Sequence, residues 1–107
     1  MSPNEQQVNK LVRQIVEAVH PLRIILFGSA ARGEAGPESD IDVMVVMPEG
    51  TNHIEVLGFL HTQLHGLGFG VDIVVATPQE LARYQDDIGF IYYDALREGK
   101  ELYAAAA

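Results

Sequence analysis

Apolar residues recur at helical spacing near the start of the chain, with Val8, Leu11, Val12, Ile15, Val16 and Val19 on one stripe. Ser2-Pro3-Asn4-Glu5 in front of them has the form of a capping box with proline at the first helical position, so the pattern predicts an amphipathic helix over residues 3–19. Pro21 ends that helix, and the period then changes. Leu22 to Phe27 is a short, mostly aliphatic run suited to a strand buried on both faces, punctuated by Gly28. Residues 29–34 are predicted as a short helical stretch, 35–39 as a loop on their Gly-Pro-Ser turn chemistry, and 40–46 as a second strand on its Val and Ile content.

Asn52 with Glu55 three residues on predicts the cap of a helix running to Gly66, with Ile54, Leu57, Leu60 and Leu64 as its apolar face. The glycines at 66, 68 and 70 read as a helix stop and turn; they precede a strand rather than a helix, unlike a nucleotide-binding loop. Residues 71–75 form the third predicted strand. Thr77-Pro78-Gln79-Glu80 is a second capping box, opening a short helix over 78–84. A further helix over 87–98 carries Ile88, Ile91, Tyr92 and Ala95 on one side and stops at Gly99; residues 100–103 make a last edge strand. The four closing alanines read as a disordered tail, which leaves one domain over 1–103 and a tail over 104–107. The alternation of strands and helices predicts an α/β (α+β) fold, a small mixed sheet flanked by helices.

Composition narrows the function. A chain of 107 residues makes one core, and no apolar run approaches the length that crosses a bilayer. There is no cysteine for a disulfide or thiolate zinc site and no signal-peptide pattern at the start, so a soluble cytoplasmic protein is expected. The net charge of −8, with seven Lys and Arg residues, argues against tracking a nucleic-acid backbone. An acidic protein that handles a nucleoside triphosphate has to recruit Mg²⁺ to bring the anions together.

Asp40 and Asp42 flank Ile41 at a strand start, so their side chains point the same way, roughly 7 Å apart. Either they are solvated strand-end carboxylates, or they grip a cation. Asp72 interrupts the third strand near its start, so three carboxylates can share one sheet face, an arrangement disfavoured by mutual repulsion unless cations neutralise it. Gly28-Ser29, where a strand hands over to a helix, offers backbone N–H groups and a hydroxyl to a phosphate, or is simply a turn. Arg32, one helical turn on, either clamps the triphosphate or pairs with Glu34 or Glu38. His61 and His65 stand at metal-ligand spacing on the third predicted helix, but no third ligand is evident and a solvated face is the simpler reading. For Tyr92 and Tyr93, core packing is the default.

Gly28-Ser29-Ala30-Ala31-Arg32-Gly33-Glu34, then Ser39-Asp40-Ile41-Asp42-Val43, then Val71-Asp72-Ile73-Val74 resembles the DNA polymerase β-like nucleotidyltransferases, and more narrowly the minimal nucleotidyltransferases, or MNT-domain proteins. The resemblance covers nearly the whole chain. It implies the polymerase β-like fold, with Asp40 and Asp42 as Mg²⁺-binding carboxylates, Asp72 as the third catalytic carboxylate, also expected to face the metal, and Gly28 and Ser29 at the triphosphate of ATP; Arg32 remains a candidate for the same triphosphate. Members of this group are often paired with a helical HEPN-domain toxin, and the resemblance implies an antitoxin that moves AMP onto a tyrosine of that toxin within a hetero-oligomer. Two alternatives stand beside it: transfer to a small hydroxylated molecule, as in larger proteins with a similar core, and neutralisation of the toxin by binding alone.

Overall fold

The structure, a computed structural model, describes residues 5–33, 40–84 and 91–106, with the backbone alone at 29 and 91–94. In chain order the elements are α1 Glu5–Val19, β1 Arg23–Phe27, α2 Gly28–Ala31, β2 Ile41–Val46, α3 His53–Gln63, β3 Val71–Ala76, α4 Pro78–Tyr84, α5 Ile91–Glu98 and β4 Lys100–Ala104. This is the predicted mixed α/β layout. The first capping box and the loop at 35–39 lie outside the described residues, as does Ile88.

The four strands form one sheet in the order β3-β2-β1-β4. β1 runs antiparallel to both β2 and β4, whereas β2 and β3 are parallel and therefore need a crossover, which α3 supplies. Alternation divides the side chains. Ile24, Leu26, Ile41, Val43, Val45 and Val75 face α1 and α3, where they meet Leu11, Ile15 and Leu60. Ile25, Phe27, Met44, Val46 and Ala76 face the other way, against Leu81 of α4 and Ala95 of α5. Both faces of β2 are covered, which is why its sequence is aliphatic almost throughout instead of alternating.

Local signals hold where they are made of side chains. Asn52 Oδ1 accepts from Glu55 N–H at 3.1 Å and caps α3. In the second capping box Thr77 N–H donates to Glu80 Oε1 at 3.0 Å, and His53 Nε2 lies 2.6 Å from the same oxygen, tying the start of α3 to that of α4. Burial pushes the Glu80 carboxyl up, but the hydrogen bonds from His53 and Thr77 outweigh it and hold the group below its ordinary range. At the end of α1, His20 takes a left-handed conformation (φ 47°) and its N–H donates to Val16 O at 3.0 Å, so the helix closes one residue before Pro21.

Three expectations need correction. α3 stops at Gln63, short of Gly66, because Leu64 is already extended. Ile54 is no part of its apolar face: it is 83% exposed. Steps of three residues fall about 60° short of a full turn, so two such steps back from buried Leu60 carry Ile54 about 120° round the helix; Val56, Leu57 and Leu64 pack on the core instead. Finally, the closing alanines do not start a tail at 104. Ala104 pairs with Arg23 in β4, and Ala105 N–H donates to Leu22 O at 2.8 Å.

Candidate functional site

α4 and α5 cover only part of their face of the sheet. They sit over Met44, Val46 and Ala76, and the same face continues past them to Asp42 and Asp72. The parallel register sets these two aspartates directly opposite one another, on strands about 4.8 Å apart. Asp42 is half-buried and Asp72 exposed, so the pair forms a shelf at the open end of the sheet.

Two glycines make room for carboxylates. Gly28, opposite the end of β2, has φ 72°, a conformation that other residues take up only with strain, and a Cβ there would run into Asp42 Oδ2. Gly70, immediately before β3, accepts from Ile41 N–H at 2.9 Å through its carbonyl. A Cβ on Gly70 would run into Asp40 Oδ1 and lie 2.8 Å from Asp40 Cγ. Asp40 thus leans across the bare backbone of Gly70 toward the β3 side. Sequence reasoning missed Gly70 as a site residue. Its one signal was its place just before the strand that carries Asp72, and that signal is shared with any turn.

The electrostatics register this crowding. The Asp42 carboxyl is raised above its ordinary value first by burial and then by the negative charges of Asp72 and Asp40, with Arg32 pulling in the opposite direction. Arg32 therefore stands near the site; Glu34 and Glu38, its expected partners, lie outside the described residues, and one ion pair of Arg32 is with α5. Its Nη1 is 3.0 Å from Glu98 Oε2 on α5.

Gly28 does open a helix, as expected, but α2 is a single turn, so a macrodipole adds little and any phosphate contact falls to its backbone N–H groups. Ser29 lies in this turn, with its side chain outside the described set. Among the described residues no three His, Cys, Asp or Glu side chains stand together closely enough to hold a metal ion as placed. Asp42 and Asp72 face one another with Asp40 nearby, and carboxylate oxygens of this kind are the donors that suit a hard divalent cation such as Mg²⁺. His61 and His65 are not a pair on one helix: α3 has ended before His65, whose Nδ1 bonds Gln63 O at 2.8 Å. The side chains of Tyr92 and Tyr93 lie outside the described set. No helix among the described residues is long and apolar enough to cross a membrane.

Comparison with known proteins follows this geometry. The family model described as a nucleotidyltransferase domain matches residues 6–103. No curated protein matches the sequence. Among solved structures, a candidate nucleotidyltransferase from Sulfolobus solfataricus superposes with a TM-score of 0.64 at 20% identity, covering 92% of this chain and 78% of that one; at this identity the likeness speaks for the fold. A toxin–antitoxin structure with AMP-PNP gives 0.58 at 26% identity, covering 95% of this chain and 74% of the other. A mutant of the toxin–antitoxin MntA-HpeT gives 0.55 at 23% identity, again covering 95% and 74%.

Proposed function

Since this chain belongs to the nucleotidyltransferase domain family, we propose that it is a Mg²⁺-dependent protein adenylyltransferase acting as an antitoxin, moving AMP from ATP to a tyrosine hydroxyl of a HEPN-type toxin. The observation that carries this reading is the in-register pair Asp42–Asp72 with Asp40 folded over Gly70: three carboxylates gathered at one open sheet end, at a cost in repulsion that a structural role does not explain. The similarity to toxin–antitoxin structures, one of them with AMP-PNP, supports both the nucleotide and the class of partner.

Asp40, Asp42 and Asp72 would hold the metal. Bound there, Mg²⁺ would neutralise the phosphates and the departing pyrophosphate. The chain's own residues position the rest. The backbone N–H groups of α2 would face the triphosphate, Arg32 would add a cation beside it, and Gly28, which has no Cβ, leaves room for the Asp42 carboxylate. Asp72 is exposed at the edge of the shelf, where an acceptor hydroxyl would arrive from solvent, and would take its proton as the oxygen attacks the α-phosphorus and pyrophosphate leaves. Asp72 is exposed, and among the described residues little encloses it, so a hydroxyl delivered on a protein surface suits the site better than a small acceptor.

The test is to express the chain with its genomic neighbour, purify both and weigh the partner by mass spectrometry. An adenylyl adduct on a partner tyrosine, lost with Asp40→Ala plus Asp42→Ala, is the expected result. A partner that is inhibited yet unmodified would sink the catalytic reading and favour neutralisation by contact.

A further inference from the structure

α3 is apolar on two sides. Val56, Leu57 and Leu60 pack on the core, yet among the described residues three large apolar side chains are exposed, and two of them, Ile54 (83%) and Phe59 (45%), stand on the outside of this helix. A helix that is apolar all round is normally covered all round. The described part of this chain covers one side only.

Gly58 lies between the two exposed residues. At about 100° per residue it falls about 40° round the helix from Ile54 and about 100° from Phe59, on the crest of the outer face. Glycine is among the poorest helix formers, and nothing among the described residues calls for it here: it is exposed, its φ is not positive, and a Cβ would meet nothing within 4 Å. A bare crest lets a second backbone come close.

Charge tells what kind of surface fits. Between Arg32 and Arg83 the chain has no Lys or Arg while Asp and Glu recur, so the formal charges on β2, α3 and β3 are all negative. Glu55, exposed, stands on the outer arc between Gly58 and Phe59. Phe59 also walls a groove of about 340 Å³ between α3 and α1, lined by Gln63 and His65 and by Gln14, Glu17 and Ala18. The Gln14 amide is engaged with the His65 backbone at 2.9 Å and 3.1 Å, whereas Glu17 is exposed and makes no ion pair among the described residues. An aromatic wall beside a lone carboxylate suits a lysine or arginine, whose stem lies on the ring while its head meets Glu17. A second copy of this acidic chain would bring like charges together and fits poorly.

We infer that the outer face of α3 is a docking surface for a basic protein partner, with Ile54 and Phe59 as apolar anchors, Gly58 as the point of closest approach and the groove at Glu17 as the seat of a Lys or Arg side chain. α3 covers the sheet face opposite the one that carries Asp42 and Asp72, so docking here is separate from transfer. That the partner is the toxin rests on the antitoxin reading above.

The experiment measures the affinity of the purified neighbouring-gene product for the wild-type chain, Gly58→Ala, Ile54→Glu and Glu17→Gln at two salt concentrations, beside thermal melts of each free chain. Gly58→Ala should raise the melting temperature by up to about 8 °C and yet weaken the partner about fivefold, an opposition that a merely structural glycine does not produce. Ile54→Glu places an acid in the first turn of α3, which the helix tolerates, and should weaken the partner at least about tenfold with the melt unchanged. Glu17→Gln should weaken it about fivefold at low salt and less at high salt. With saturating partner all three should keep the wild-type transfer rate, so that KM for the partner rises and kcat does not. Wild-type affinity in Gly58→Ala and Ile54→Glu would overturn this inference alone, provided the partner still binds and is modified. Binding that tightens with salt would exclude a basic surface, and a dimer of the free chain broken by Ile54→Glu would assign the face to a second copy. If the wild-type chain neither binds nor modifies the partner, the antitoxin reading fails and takes this one with it.

Discussion

Replacing Gly70 with alanine isolates the role of Asp40. The added methyl would occupy the space of the Asp40 carboxylate, 2.8 Å from Cγ and closer still to Oδ1. Gly70 is not among the positive-φ glycines, so the substitution carries no backbone strain of its own. Asp40 is exposed and can swing away, a rotamer displacement costing about 0.5–1.5 kcal/mol. Against that, alanine for glycine stabilises by about 0.4–1 kcal/mol through the unfolded chain. The two nearly offset, so the melting temperature should move by less than about 8 °C. Transfer, however, needs the carboxylate in place, and a displacement of about an ångström costs on the order of a hundredfold in rate. The assay is Mg²⁺-ATP-dependent pyrophosphate release in the presence of the cognate toxin, alongside a thermal melt. A folded Gly70→Ala variant with wild-type turnover would refute the placement of Asp40 in the working site.

Asp42→Asn should abolish transfer and yet raise the melting temperature of the metal-free chain. A carboxyl whose folded pKa is raised loses stability as pH climbs from the unfolded value of 3.8 through the folded one, so the gain should appear above that window and vanish below it; a gain confined to acid would contradict the assignment. Glu80 has the opposite sign. Its lowered carboxyl stabilises the fold above about pH 4.5 and gives that up as pH falls through the folded value, so Glu80→Gln should cost about 1 kcal/mol at neutral pH in chemical denaturation and nothing at the acid end. On α3, Ile54→Ser should change stability by less than about 0.5 kcal/mol, whereas Leu60→Ala, fully buried, should cost about 2–5 kcal/mol by the same measurement.

What could be read in the sequence was local. Both described capping residues, Asn52 and Thr77, act through side chains three positions from their partners, and the strand runs announce themselves by composition. Alternation alone predicted a shared direction for Asp40 and Asp42, whereas Asp40, just ahead of β2, leans toward Gly70 and the Asp42 carboxylate abuts Gly28. The pairing of Asp42 with Asp72 needed the register of a parallel pair closed by a crossover, and no pattern inside either strand encodes it. Gly70 looked like punctuation because the group that needs its missing Cβ is thirty positions back along the chain. The ion pair of Arg32 with Glu98 joins α2 to α5, a contact between residues 66 positions apart that local reasoning has no means to offer. Ala104 and Ala105 join β1 through backbone bonds, which leave no side-chain signature in the sequence.

The place of β3 at one margin of the sheet has a practical consequence for anyone handling the protein. β4, at the opposite margin, carries Lys100 and Glu101, charges that discourage a stray strand from docking there. β3 reads Val-Asp-Ile-Val-Val-Ala, and Asp72 is its sole charge. Beyond any part in transfer, that carboxylate keeps an aliphatic margin from recruiting other chains into fibrous or amorphous aggregates. A catalytically dead control made at Asp72 therefore confounds lost chemistry with lost solubility, whereas Asp42, on an interior strand, can be neutralised without unguarding the margin.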